Sequence, residues 1–313
     1  MNILCTGGSG SLGIALANYY LLNPVDKYIV YSRGWHAQTA LRNDLGNPDN
    51  FRWLIGDVRD RDRLHRACNG VDLIIHAAAI KDVVTCEAET NEAKKTNVDG
   101  TQNIIDAAID NGVEKVMVIS SDKAANPINS YGVSKAMCEK IAVDSNAQAR
   151  NSKTTIAIAR YGNVFNSSGS VVPLWKEQAK DGTLYITDKK MSRFWLTMGQ
   201  AISFVLSSIE IMQPGAIYVP KLPSGRLVDL AKAIGPGCHV AEIGKRPGEK
   251  LAEVMVTEAE SSHTKDCGSF YVIEPEFQLW DFESKGKPLP ENFSYSSDNN
   301  NQWLSVEDIR ELL

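Results

Sequence analysis

The chain has 313 residues, 43% apolar and 8% aromatic, enough for a large buried core with a smaller unit appended to it. A net charge of −5 and a pI near 5.6 leave no basic footprint for nucleic acid. Cys5, Cys68, Cys86, Cys138, Cys238 and Cys267 form no C-x-x-C pair, no cysteine–histidine set has metal-ligand spacing, no apolar run reaches membrane-spanning length, and a strand starting at residue 2 leaves no room for a signal peptide. The expectation is a soluble, cytoplasmic protein with reduced thiols, no metal and no membrane contact.

Asn2-Ile3-Leu4-Cys5-Thr6 reads as a short apolar strand running into Gly7-Gly8-Ser9-Gly10-Ser11-Leu12-Gly13. Glycines at 7, 10 and 13 permit a tight turn, close approach of backbone N–H groups to a pyrophosphate, and close packing of the helix from Leu12 to Leu22 on the strand. This is a dinucleotide site. The next strand, Tyr28 to Tyr31, ends in Ser32-Arg33, where an NAD-selective site carries an acid for the ribose hydroxyls. A hydroxyl beside a guanidinium suits a 2′-phosphate, so the expected cofactor is NADP, with NAD the weaker reading. A third strand, Phe51 to Ile55, leads to Asp57 and Val58, expected near the adenine.

Val71 to His76 is a fourth strand opening into Ala77, Ala78 and Ala79, small enough for backbone to lie against a cofactor, with Lys81 at the rim and His76 structural. The fifth, Lys115 to Ser120, delivers Ser121, Asp122 and Lys123 at its carboxyl end, where open α/β sheets bind ligands. A turn at Asn126 to Ser130 then starts a helix carrying Tyr131 and Lys135. Four residues apart, these share a face, so the ammonium of Lys135 is expected to lie beside the Tyr131 phenol and favour its ionised form as a base. Helices at Thr101–Asn111 and Tyr131–Ser145 and a sixth strand at Thr154–Arg160 complete the alternation. Apolar positions Ile104, Ile105, Met137 and Ile141 on these helices are assigned mostly to core packing. After Arg160 the elements shorten. Ala201–Met212 reads as a helix returning to the first domain, Leu227–Ile234 as part of the appendage, and Leu304–Leu313 as a helix capped by Ser305 and Asp308. The fold class is α/β: a Rossmann-type doubly wound parallel sheet with a smaller C-terminal substrate-binding subdomain.

With these elements in place, the chain resembles the extended short-chain dehydrogenase/reductase superfamily in its glycine loop and Tyr-x-x-x-Lys pair. It resembles in particular the inverting UDP-N-acetylglucosamine 4,6-dehydratases, through Asp122–Asn129, Arg160–Val164, Gly169–Pro173, Met191–Phe194 and Arg246–Leu251. Asp122-Lys123 is the discriminating pair, since retaining sugar-nucleotide dehydratases carry Asp-Glu there. One departure is Ser168, where the family usually has Arg. The resemblance implies dehydration of a UDP-sugar with inversion at C5 and tightly held, regenerated NADP. It implies that Tyr131 takes the O4 proton, Lys135 stabilises the phenolate, Ser121 binds O4, a desolvated neutral Lys123 takes the C5 proton and Asp122 protonates O6. Lys81, Asn163, Val171, Arg193, Arg246 and Glu249 are implied as substrate contacts, with Arg193 and Arg246 meeting the diphosphate. Residues 1–166, rejoined by about 192–219, would form the dinucleotide domain, and 167–191 with 220–313 the nucleotide-sugar subdomain. A homo-oligomer, dimer or hexamer, is also implied. The other readings are an NADP-dependent sugar-nucleotide epimerase or reductase, which leaves Asp122 and Lys123 no elimination to perform, and a non-catalytic NADP sensor, which has no need of the intact Ser121, Tyr131 and Lys135.

Overall fold

The computed structural model describes residues 1–277, 280 and 282–313. The first half alternates strand and helix: β1 (Asn2–Thr6), α1 (Ser11–Leu22), β2 (Lys27–Ser32), α2 (Trp35–Asp44), β3 (Phe51–Ile55), α3 (Arg61–Ala67), β4 (Leu73–His76), α4 (Val83–Ala88), α5 (Thr90–Ala93), α6 (Gly100–Asp110), β5 (Lys115–Ile119), α7 (Ser130–Gln148) and β6 (Thr155–Ala159). Shorter elements follow: β7 (Asn163–Val164), α8 (Val171–Gln178), β8 (Thr183–Ile186), β9 (Ser192–Leu196), α9 (Met198–Glu210), β10 (Ile217–Pro220), β11 (Ser224–Arg226), α10 (Leu227–Ile234), β12 (His239–Glu242), β13 (Val254–Val256), α11 (Glu258–Ser261), β14 (Thr264–Asp266), β15 (Phe270–Ile273), β16 (Lys287–Pro288), β17 (Tyr295–Ser296) and α12 (Val306–Glu311).

The main sheet has the order β16-β14-β15-β10-β6-β5-β4-β1-β2-β3, and its strands from β10 to β3 are parallel. Ile3, Leu4 and Cys5 of β1 and Val116, Met117 and Val118 of β5 are fully buried, because a parallel sheet is covered by helices on both faces and its strands read as unbroken apolar runs. The chain reverses direction of travel between β1 and β4, the switch point beside which open α/β sheets form their ligand crevice.

Beyond β10 the sheet turns antiparallel: β15 pairs with β10, β14 with β15 and β16 with β14. Residues 264–266, 270–273 and 287–288, within the 220–313 span expected to form the small unit, thus extend the large sheet. The physical reason is the edge of β10, whose unpaired backbone groups β15 satisfies and covers. A separate apolar cluster that includes Phe165, Trp175, Leu184, Trp195, Leu230 and Ile309 supports the sheet β11-β9-β7 and the pair β12-β8. Among the helix positions assigned to the core, Ile104 and Ile105 are fully buried, whereas Met137 is half exposed beside Val133 on the outer face of α7.

Arg160, at the end of β6, is buried between Glu139 of α7 (2.6 Å) and Glu260 of α11 (2.7 Å), and also donates to the Met255 carbonyl at 2.8 Å. Burial pushes the Glu260 carboxyl up, but the charge and hydrogen bonds of Arg160, with those of Thr257, more than reverse this and hold it at about 2. A depressed carboxyl contributes stability that is complete above its unfolded value, near 4.5, and is lost as pH falls toward 2. Glu260→Gln should therefore destabilise the fold at neutral pH, on the order of 3 kcal/mol because Arg160 loses one of its two counter-charges. The melting curves of wild type and variant should converge on acidification through that window. Parallel curves down to the acid end would count against the assignment.

Candidate active site

The loop between β1 and α1 is built for close backbone approach. Gly7 has φ +68°, and a Cβ there would sit 2.8 Å from the backbone of Ala77 and Ala78; a Cβ on Gly13 would sit 2.5 Å from the Gly8 backbone. The first turn of α1 has no side-chain cap, so its N–H groups are left for a ligand, and the helix dipole favours an anion there. Ser32 is fixed by the Ser9 hydroxyl at 2.9 Å and by Gln38, whose buried amide also bonds the Ser32 and Leu54 carbonyls. Gln38 escaped the sequence reading because nothing local marks a helix residue that reaches back to two strands. The cradle fits a dinucleotide: glycines where any side chain would collide, uncapped amides at a helix start, and the small Ala77, Ala78 and Ala79 opposite.

Arg33 is more than half exposed, 3.8 Å from Asp57. The Asp57 carboxylate is held by Arg59 at 2.6 Å, and it is the one expected cofactor residue that does not line the crevice. Burial raises its carboxyl, but hydrogen bonds and charge from Arg59, with Arg33 behind them, hold it below the ordinary carboxylate range. Val58 does face the crevice. His76 is structural, as expected: Thr6 and Thr101 engage its two ring nitrogens at 2.7 and 3.1 Å, and burial, aided by Lys135, pushes it down to about 3, leaving it neutral. Asn97, which was not anticipated, clamps the segment after β4 to α7 by bonding the Ile80 N–H and C=O and the Ser134 hydroxyl.

The loop after β5 and the start of α7 bring Ser121, Asp122, Lys123, Tyr131 and Lys135 to one crevice of about 1410 Å³. Pockets for a single drug-sized ligand are roughly 300–1,000 Å³, so this crevice has room for more than one. Asp122 is buried; its Oδ1 accepts from the Ser121 hydroxyl at 2.8 Å and from Lys123 Nζ at 3.0 Å. Its Oδ2 has no hydrogen-bond partner among the described residues.

The electrostatics of the protein itself set Tyr131 and Lys123 apart from the charge states expected of them at work. Burial pushes the Tyr131 phenol above its ordinary value; the Ser121 hydroxyl opposes this and the Asp122 charge adds to it. Lys135 donates to the Ile119 carbonyl at 2.6 Å, so part of its hydrogen-bonding capacity is committed to the backbone. Lys123 is not neutralised by desolvation. Burial does pull its ammonium down, but Asp122 and then Glu253 outweigh burial and the opposing Arg193, and hold it above the usual lysine value. Lys81, at the rim, is lowered by burial alone.

Asn163, Val171, Arg193, Arg246 and Glu249 all line the same crevice. Asn163 Oδ1 is buried without a partner among the described residues, which leaves it free for a ligand donor. Arg193, expected as a diphosphate contact, is also tied to the backbone. It is buried, and its guanidinium donates to the carbonyls of Ser192, Leu251 and Lys250 at 2.7, 3.1 and 3.0 Å, binding β9 to the segment before β13. The Glu249 carboxylate accepts from the Arg246 N–H at 3.0 Å. Ser168 bonds Ser11 through both its N–H (3.0 Å) and its hydroxyl (3.1 Å), tying the loop before α8 to the first turn of α1. Glu253, buried and also lining the crevice, was missed: it lies two residues beyond the Arg246–Leu251 motif, and only folding places it beside Lys123.

A family model described as "Polysaccharide biosynthesis protein" matches residues 3–275. A Campylobacter jejuni protein named UDP-N-acetylglucosamine 4,6-dehydratase (inverting) is 42% identical over 100% of this chain and 97% of its own length. A Rickettsia felis protein named UDP-glucose 4-epimerase is 36% identical over 99% of this chain and 94% of its own. Among solved structures, Pen from Bacillus thuringiensis superposes with a TM-score of 0.92 at 34% identity, covering 99% of this chain and 96% of that one. DesIV, a dTDP-glucose 4,6-dehydratase from Streptomyces venezuelae with NAD and TYD bound, gives 0.71 at 25% identity over 80% and 87%. Among the described residues no helix is long and apolar enough to cross a membrane.

Proposed function

The chain belongs to the polysaccharide biosynthesis protein family, and from that premise we propose that it is a configuration-inverting 4,6-dehydratase of UDP-N-acetylglucosamine. The observation that carries the reading is the Asp122–Lys123 pair at 3.0 Å beside Ser121 and Tyr131: an acid and a base for elimination next to a base for alcohol oxidation. A 4-epimerase, the name of the Rickettsia relative, has no use for the first two.

Gly7, Ser9, Gly10, Ser11, Leu12 and Gly13 hold the pyrophosphate of a nicotinamide dinucleotide, Ser32 and Arg33 its adenosine end, and Ala77, Ala78, Ala79, Tyr131 and Lys135 the nicotinamide side. Arg33, with no acid at that strand end, favours NADP. A bound nicotinamide would supply both the hydride acceptor and the hydride donor within one cycle, so no external oxidant would be consumed.

Ser121 holds O4 while Tyr131 removes its proton. The resulting 4-ketone makes the C5 hydrogen acidic. Lys123 must then be neutral and Asp122 protonated, and transfer of one proton across their hydrogen bond achieves both with no change in net charge. Lys123 takes the C5 proton; Asp122 gives its proton to O6 as the C6–O6 bond breaks and water leaves. The pair is thereby back in its starting ammonium–carboxylate form. Inversion requires C5 to recover a proton on the face away from Lys123. Lys81, Asn163, Val171, Arg246 and Glu249 bind the nucleotide sugar. The exposed Val133 and Met137 suit a homo-oligomer, dimer or hexamer, which sedimentation would distinguish.

The test is incubation of the purified protein with UDP-N-acetylglucosamine in deuterated water without added cofactor, followed by mass spectrometry and NMR. Loss of one water with deuterium at C5 and inverted C5 geometry is expected. Unchanged mass with altered C4 geometry would establish the epimerase instead. The mass of the cofactor released on denaturation separates NADP from NAD.

A further inference from the structure

Lys123 is gripped from two sides. Besides Asp122, the Oε1 of Glu253 lies 3.7 Å from its Nζ, and Glu253 is contributed by a different part of the chain, immediately before β13. Its backbone is pinned there: the N–H donates to the Ser297 hydroxyl at 3.0 Å and the carbonyl accepts from the Ser297 N–H at 2.8 Å. Two further cations flank the carboxylate, Arg193 Nε at 3.9 Å and Lys250 Nζ at 3.4 Å. Each has its own carbonyl partners: Arg193 those given above, and Lys250 the Ala125 carbonyl at 2.8 Å. Glu253 Oε2 has no hydrogen bond among the described residues. A carboxylate this buried, ringed by cations yet hydrogen-bonded by none of them, is placed as a counter-charge beside a lysine that must change state.

We propose that Glu253 is the positioning residue for the C5 base, holding Lys123 and stabilising the ammonium that forms on it during elimination; this rests on the dehydratase reading. The reason lies in the order of charges. When Asp122 carries the proton destined for O6, Lys123 is neutral and Asp122 is no longer its counter-ion. As the C5–H bond breaks, the proton and the developing positive charge arrive on Nζ before Asp122 has regained its own charge. Glu253 is the neighbouring anion that does not take part in that exchange, so it compensates the charge as it grows. The charged groups facing Lys123 are Asp122 and Glu253, opposed by Arg193; Lys250 bears on Glu253, and Tyr131 faces Asp122.

Glu253→Gln and Glu253→Asp test this, with C4 oxidation followed by the near-ultraviolet absorbance of the reduced nicotinamide and C5 chemistry by deuterium incorporation. The Gln variant should keep C4 oxidation and KM, and lose C5 exchange and dehydration by roughly a hundredfold. Its exchange-versus-pH profile should move down by about one pH unit, because removal of an anion lowers the lysine pKa. The Asp variant, which keeps the charge with a shorter reach, should hold the wild-type profile at a reduced rate, and it carries the test if the Gln variant does not fold. A Gln variant with wild-type exchange and profile, equal loss of oxidation and exchange, or an Asp variant with a displaced profile would each overturn the role. Failure of the wild type itself to dehydrate any UDP-sugar would instead overturn the proposed function, and this role with it.

Discussion

Lys123→Met should leave a protein that oxidises its sugar nucleotide at C4 and goes no further. Oxidation draws on Ser121, Tyr131 and Lys135, whereas C5 deprotonation has only Lys123, so the two steps separate in this one variant. Loss of a positioned general base costs typically 10²–10⁴-fold, and dehydration should fall by about a thousandfold. Methionine keeps the length of the side chain and limits the packing change, but it leaves the buried Asp122 and Glu253 without their shared cation. Some loss of melting temperature should therefore accompany the variant, and the assay belongs below that temperature. In single-turnover experiments the nicotinamide should be reduced and remain reduced, with no deuterium entering C5. Equal loss of oxidation and exchange would remove Lys123 from its role as C5 base.

Tyr131→Phe should have the opposite signature. Without the phenol there is no base for the O4 proton, so oxidation, exchange and dehydration should fall together, by about a thousandfold or more, while binding of dinucleotide and UDP-sugar is retained. Because burial raises this phenol, the basic form is scarce at neutral pH in the protein alone, and wild-type oxidation should accelerate as pH rises. A flat profile across neutral pH would show the phenol already ionised under working conditions. Calorimetric titration with a UDP-sugar separates lost chemistry from lost binding. A variant that neither binds nor reacts would assign Tyr131 to structure.

Much of the site is legible in the chain because its parts are local. Glycines at 7, 10 and 13 read as a pyrophosphate loop because the spacing itself permits close backbone approach, and the collisions a Cβ would make at Gly7 and Gly13 show that approach. Tyr131 and Lys135 share a helix face by periodicity, and Ser121-Asp122-Lys123 follow a buried strand whose carboxyl end must open on the crevice. The edge strands were less visible. Thr264–Asp266 and Phe270–Ile273 are three and four residues long, too short for their alternation to announce which sheet they join.

The sequence by itself determined the α/β alternation, the glycine loop and the grouping of the residues proposed to react, since each depends on residue type and short-range spacing. Only the tertiary structure decided their electrostatic states. Burial alone would lower the Lys123 ammonium, but Asp122 at 3.0 Å and Glu253 at 3.7 Å reverse the direction, and Glu253 stands 130 positions further along the chain. Likewise Arg193, which reads as a diphosphate clamp, has its guanidinium occupied by carbonyls 57 and 58 residues downstream. Charge interactions fall off with distance in space, and distance in space between such residues exists only once the chain has folded.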